Sequence, residues 1–308
     1  MLDPESFLTE LYVKVDDFDK TLPPPAANPG QQPSLSRSEL VTLALFAQWG
    51  QFLSERAFYR YAQKNLLGLF PRLPARTQFN RQLRAERETI TDFSRMLVAE
   101  LRTPEDLYQA LDATAIMVRD HHRRGEGWLF GQADIGWSNR LGWYEGLHCL
   151  TSILPSGVIA GYGLAPASAK DQPLAEAFLA ARAYSMARLS CVGDYWQLPY
   201  LTDNGFEGRE WHQRWRDDYG AEVITPPKRS AKKNWPPFWR KYMAGLRQIV
   251  ETVNDKLLNA FGLSRERPHC LAGLQARMAA KVALHNFCIW LNRKFQRPNL
   301  AFADLVNW

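Results

Sequence analysis

Cysteine is scarce in this 308-residue chain, and long apolar runs are absent. The four cysteines, Cys149, Cys191, Cys270 and Cys288, are scattered and form no Cys-x-x-Cys. That spacing signals neither a zinc site nor a disulfide framework, and it suits reduced thiols in a cytosolic protein. No stretch of about 18 apolar residues occurs, so no transmembrane helix is predicted. The N-terminal segment lacks an apolar core run and carries Asp3, Glu5, Glu10, Asp16, Asp17 and Asp19, which argues against an ordinary signal peptide. No internal repeat is visible. Acids are the minority charge: 32 Asp and Glu stand against 38 Lys and Arg, for a net charge of +6. This balance suits a polyanion partner through phosphate neutralisation, although many basic proteins bind no nucleic acid. With 46% hydrophobic and 23% charged residues the chain reads as globular. Its length suggests two domains, or one large domain with an appendage.

Residues 21–34 are rich in Pro, Gly and Asn and read as a linker, so 1–34 is expected to be an N-terminal arm and linker. Ser36 and Glu39 form a capping box before an apolar helix over Leu40–Trp49. Further helices are expected near 53–67, 77–86 and 88–102, which makes 35–103 an all-helical domain. The 77–86 helix and the residue before it carry Arg76, Gln78, Asn80, Arg81, Gln82 and Arg84, types that reach base edges and phosphates. It can be the recognition helix of a helix-turn-helix-like DNA-binding domain, or a polar solvated face of a helical bundle. Beyond Pro104 the pattern turns to strands. Leu107–Val118 reads as a buried strand with Asp112 inside it. Residues 120–142 form an excursion. Two apolar runs around Pro155-Ser156-Gly157 read as a hairpin. A helix over 173–187, strands at 200–202 and 221–225, a basic loop at 226–241, and helices near 244–260 and 271–292 complete the order. A helical crossover joined to a hairpin predicts a mixed α/β sheet for 104–308.

Three acids in this frame suggest chemistry. An ionised Asp112 inside an apolar strand is costly unless paired or bound to metal. Asp203 lies at a strand end before Asn204-Gly205-Phe206, where ligands gather in α/β sheets, although Asp-Asn-Gly is also good turn chemistry. Glu251 sits four residues after Arg247, beside the apolar stripe Leu246, Ile249, Val250, Val253 and Leu257. A lone pair of this spacing is commonly a surface salt bridge. Together, two carboxylates on adjacent strands and one on a following helix can hold two divalent cations, a hard-oxygen set suited to Mg²⁺.

The segment between Arg209 and Arg247 interleaves cations with Trp211, Trp215, Trp235 and Trp239. Lys228, Arg229, Lys232, Lys233 and Trp235 are candidate DNA contacts, since cations meet phosphates and rings stack on exposed bases. The alternative is a solvated loop whose tryptophans pack on the domain. His121-His122-Arg123-Arg124 forms a second patch, in which Arg123 and Arg124 suit phosphate better than the His pair suits zinc.

The pieces Leu111-Asp112-Ala113-Thr114, the hairpin Gly146–Pro166 with Ala167 to Asp171, Asp203-Asn204-Gly205-Phe206 and Arg247-Gln248-Ile249-Val250-Glu251 resemble the DDE transposases of bacterial insertion sequences. The resemblance spans about residues 105–292. It implies a ribonuclease-H-like catalytic domain with a mixed five-stranded sheet flanked by helices. It implies metal binding by Asp112, Asp203 and Glu251, with Mg²⁺ as the ion and Mn²⁺ as a substitute, and a supporting role for Arg247 near DNA phosphates. Ala244 stands where some relatives carry Tyr, and Leu258 where Lys is typical; Lys256 is the nearest cation. The resemblance implies a bacterial, cytoplasmic, nucleoid-associated enzyme that binds double-stranded DNA and no membrane. Its substrates would be terminal inverted repeats and target DNA, cut and joined by a synaptic homodimer. The competing readings are a metal-dependent nuclease of the same fold and a non-catalytic, transposase-derived DNA binder.

Overall fold

The computed structural model describes residues 1–24, 33–127, 129–188, 198–227 and 234–308, with the backbone alone for 183–188. The chain divides into two compact units, Met1–Leu97 with Lys256–Trp308, and Val98–Asp255. This differs from the expected boundary near 103: the C-terminal residues from Lys256 cluster with the N-terminal helices, not with the sheet. Among the described residues, no helix is long and apolar enough to cross a membrane.

The helical unit begins with a correction. Asp3 accepts the backbone N–H of Ser6 at 2.9 Å and Pro4 occupies the first turn, so helix α1 (Pro4–Asp19) forms where an arm was expected. Phe7, Leu8, Leu11, Val15 and Phe18 recur at helical spacing and are buried. The capping box closes at Ser36 and starts α2 (Arg37–Phe46). Next come α3 (Glu55–Asn65), α4 (Arg76–Ala85) and α5 (Arg87–Leu101). Residues 66–75 join α3 to α4. Helix-turn-helix units use a turn of about three to four residues, so these two helices do not form a tight one. Ala75 is the cap residue of α4 and supplies no side-chain bond. The last helix of the chain lies at the centre of this unit, with Met278, Val282, Leu284, Phe287, Ile289 and Leu291 all buried.

The second unit is built on one six-stranded sheet. Its strands are β1 (Gln109–Arg119), β2 (Asp134–Ser138), β3 (Gly142–Ile153), β4 (Ile159–Pro166), β5 (Tyr200–Leu201) and β6 (Val223–Ile224). β3 lies antiparallel to β1 on one edge and to β2 and β4 on the other; β5 runs parallel to β1, and β6 parallel to β5. An antiparallel β1–β3–β4 meander followed by two parallel strands on the far side of β1 is the ribonuclease-H-like arrangement. The extra strand is β2, which folds out of the expected excursion and pairs Trp137 with Trp143. The β3–β4 turn uses Gly157 at φ 89°, a conformation that L side chains resist. α6 (Asp171–Arg188) follows β4.

Between β5 and β6 stands α7 (Arg209–Tyr219), a helix the sequence reading missed. Its polar, Arg-rich face hides the signal, yet Trp215 is fully buried against Leu111, Leu174, Tyr200 and Phe206. Trp211 packs against the same core. Neither ring is a free base-stacking surface. α8 (Pro237–Asp255) starts earlier than expected and takes in part of the basic loop. It ends in a π-helical turn, Lys256–Ala260, and α9 (Leu271–Lys294) completes the regular elements.

Candidate active site

Register brings the first two acids together. β1 and β5 run parallel with Ala110 opposite Leu201, so Asp112 on β1 and Asp203, two residues past the end of β5, lie beside one another, close enough for Asp203 to repel the Asp112 carboxylate. β5 ends at Leu201, and Asp203 instead caps a 3-10 turn over Asn204–Phe206, accepting the N–H of Gly205 at 2.8 Å. That turn stops the pairing and opens the sheet beside Asp112.

A third carboxylate, absent from the expected set, joins them. Asp171 begins α6, and its Oδ2 would lie 2.3 Å from a side-chain carbon placed on Gly205. Asp203 Oδ1 would lie 3.0 Å from the same carbon. A side chain at 205 would therefore have to displace these two carboxylates. The sequence shows Asp171 only as the end of the piece that follows the hairpin; the fold puts it beside Asp203.

The charges agree with this picture. Burial pushes the Asp112 carboxyl from 3.8 up to about 6; Arg247 opposes the rise, while Asp203 and Asp171 add to it. Burial also raises Asp171, helped by Asp203 and opposed by His148. Arg247 Nη2 stands 3.7 Å from Asp112 Oδ1, and Arg247 Nε is buried without a hydrogen-bond partner. Three mutually repelling carboxylates opposed by Arg247 make a site with excess negative charge and hard oxygen donors. These are hard oxygen donors of the type a divalent cation takes, but among the described residues no three of these acids bring ligand atoms within 4.8 Å of one another.

Helix α8 is tied to this face of the sheet on both sides of Glu251. Arg247 meets Asp112, and Asn254 Oδ1 accepts from Thr151 Oγ1 at 3.3 Å, Thr151 being the β3 partner of Asp112. Glu251 lies four residues after Arg247 and three before Asn254, so all three share a helix face. Its own side chain is exposed. The structure therefore brings Asp112, Asp203 and Arg247 together, adds Asp171, and leaves Glu251 at the solvent-exposed edge of the same helix face. Among the described residues, the group of metal-ligating side chains with ligand atoms within 4.8 Å of one another is Asp120, His121 and His122. These are consecutive residues of an exposed turn.

The family model for the transposase DDE domain matches residues 104–287, more than half of the chain. The chain belongs to the DDE transposase family. The matched span contains both aspartates, the β3–β4 hairpin, Asp171, α8 and most of α9. Comparison with curated proteins finds no match. Two solved structures of Mos1 transposase are similar to this transposase. One is the paired-end complex with left transposon end, at 11% identity, covering 78% of this chain and 82% of that one, with a TM-score of 0.27. The other is the Strand Transfer Complex, at 12% identity, 88% and 83% coverage, and a TM-score of 0.24.

The candidate DNA contacts are spread over several elements of this transposase. Arg76, Arg81 and Arg84 are exposed on α4, and Gln78 is half-buried there. Asn80 is not free to read bases, because it donates its amide to Glu55 at 2.8 Å. Arg123 and Arg124 are exposed on a turn that Arg119 holds through their carbonyl oxygens, at 3.0 and 2.7 Å. Trp235 is half-buried, and lines an apolar recess with Tyr108, Trp239, Met243 and Leu246. Lys256 is half-buried at the start of the π-helical turn. Lys228, Arg229, Lys232 and Lys233 lie outside the described residues.

Proposed function

We propose that this transposase binds the terminal inverted repeats of a mobile element and catalyses metal-dependent DNA strand cleavage and strand transfer. The observation that carries the reading is Asp112, desolvated and repelled by Asp203 beside it, with Arg247 opposing the charge. In this reading Asp112, Asp203 and Glu251 hold the cations, with Glu251 reaching in from the exposed edge of α8. Bound there, Mg²⁺, with Mn²⁺ as a substitute, would activate a water or a 3′-hydroxyl and stabilise the leaving oxygen of an in-line displacement. Arg247 holds a DNA phosphate beside the acids through its charged, partly unpartnered guanidinium. Asp171 adds negative charge beside Asp203.

Duplex DNA is held by Arg76, Arg81 and Arg84 of the helical unit, by Arg123 and Arg124, by Lys228, Arg229, Lys232 and Lys233 with Trp235, and by Lys256. Gln78 adds a polar contact on the same helix as the first three. A homodimer that pairs two element ends is the working assembly. The insertion-sequence origin of the element belongs to this proposal.

The test is cleavage of end-labelled DNA carrying the gene with its native flanks, in Mg²⁺ and in EDTA, beside Asp203→Ala. Mg²⁺-dependent cuts at the element boundaries, absent in the variant, are the expected result. Full strand transfer by Asp203→Ala would remove the assignment.

A further inference from the structure

β1 ends in a turn that gathers metal donors, about 25 Å along the chain from Asp112 at a strand rise of about 3.3 Å per residue. Asp120, His121 and His122 each offer one ligand atom there, and these atoms lie within 4.8 Å of one another. His121 Nδ1 stands 3.9 Å from Asp120 Oδ1. The two imidazole rings have their centroids 3.8 Å apart. Successive side chains of an extended strand point to opposite faces, so it is the turn that brings these rings together. Sequence alone offered a pair of adjacent histidines; the fold adds the carboxylate as a third donor.

The turn is braced by its own hydrogen bonds. Asp120 Oδ1 accepts the N–H of His122 at 3.0 Å, and the Asp120 carbonyl oxygen accepts the N–H of Arg123 at 3.1 Å. A carboxylate has room for several partners, so the bond from His122 leaves Asp120 able to take an ion. Arg119 donates to the carbonyl oxygens of Arg123, Arg124 and Gly125 at 3.0, 2.7 and 2.7 Å. Its own charge faces Glu145 of β3 at 3.7 Å. Arg123 and Arg124 are exposed, so solvent and salt screen their charge from the donors. Donors already held in place lose less freedom when an ion binds.

The donor types choose the ion. Imidazole suits Zn²⁺, Ni²⁺, Cu²⁺ and Fe²⁺, whereas Mg²⁺ takes oxygen ligands. We propose that Asp120, His121 and His122 form a second metal site, which binds a first-row transition ion of the zinc type through two imidazoles and a carboxylate. Three protein donors leave a tetrahedral ion one position for water or an anion. The site uses neither DNA nor the acids of the candidate active site, so its failure leaves the strand-cleavage reading untouched.

The test reads the site at its own residues. Diethyl pyrocarbonate acylates neutral imidazole nitrogens, and coordination to a metal blocks the reaction. The full chain, without DNA, is labelled at neutral pH across a Zn²⁺ titration, with Mg²⁺ in excess throughout. The peptide carrying His121 and His122 is quantified by mass spectrometry. Saturable protection by Zn²⁺ is expected, equal in wild type and in Asp203→Ala, with no protection by Mg²⁺ alone. Asp120→Asn keeps an oxygen for the N–H of His122 but loses the charge, and His121→Ala leaves His122 as the reporter. Each raises the half-protecting Zn²⁺ concentration at least about tenfold. Both change side chains at the surface of the turn, and circular dichroism checks that each variant is folded. Absence of protection at any Zn²⁺ concentration that keeps the chain soluble overturns the proposal. So does protection by Mg²⁺ alone, its loss in Asp203→Ala, or wild-type protection in either turn variant.

Discussion

Replacing Asp112 with Asn should stabilise the sheet unit in the absence of metal. The Asp112 carboxyl is held at about 6 against an ordinary 3.8, first because burial penalises its charge and then because Asp203 and Asp171 repel it. The sign follows from proton linkage. The folded state binds the Asp112 proton more tightly than the unfolded state, so stability falls as pH rises from about 3.8 through about 6. Each pH unit in that window is worth about 1.4 kcal/mol, so ionised Asp112 costs about 3 kcal/mol at most by pH 8. Asn keeps the shape and removes the charge, and the attraction of Arg247 is already included in the raised value. The difference between Asp112→Asn and wild type should therefore vanish near pH 3.5 and grow to about 3 kcal/mol at pH 8. Hydrogen exchange on peptides from β1 and β3, in EDTA, reads the stability of this unit alone. Added Mg²⁺ should close the gap from the wild-type side. An Asn variant no more stable than wild type at pH 8 would refute the reasoning that burial and the neighbouring acids outweigh Arg247 at Asp112.

Gly205→Ala should leave the fold intact but lower strand cleavage about a hundredfold, because the new carbon displaces the Asp171 and Asp203 carboxylates; cleavage beside a circular dichroism spectrum checks this. Glu251→Gln should abolish Mg²⁺-dependent cleavage while changing unfolding free energy by less than about 0.5 kcal/mol, since the side chain is exposed. Trp215→Ala should cost the sheet unit about 3–5 kcal/mol, measured by hydrogen exchange, because the ring is fully buried between α7 and the sheet. In the helical unit, Glu266→Gln should cost about 3–5 kcal/mol by leaving buried Lys281 without a carboxylate and Arg277 with Glu55 alone. Burial works to raise the Glu266 carboxyl, but Lys281 and Arg277 hold it below 4.5. Its contribution to stability is therefore present above pH 4.5 and is lost as pH falls through the lowered folded value, a dependence that urea titrations of the Gln variant should lack.

What could be read from the chain alone was local. An acid inside an apolar strand, a Pro-Ser-Gly turn between apolar runs and a Ser36–Glu39 capping box each depend on a few neighbouring residues. Each forms where expected: Asp112 in β1, the β3–β4 hairpin, and the start of α2. The order of elements after Pro104 also suffices to expect a mixed sheet, because a helix between strands enforces a parallel crossover. Features set by distant partners were hidden. α1 reads as an acidic arm, because its apolar stripe is spaced among charges and gains meaning only when buried. α7 reads as basic loop until Trp215 is seen to fill the sheet core. Asn80 reads as a base reader until Glu55, from another helix, takes its amide. The site shows the same division. Sequence placed an acid on a strand, an acid at a strand end and an acid on a helix. The parallel register of β1 and β5 decided that two of them lie beside one another, and the close packing at Gly205 put Asp171 with them. Strand pairing and close approach are long-range events, paid for by burial across the sheet, and no local pattern of residues encodes which acids will meet.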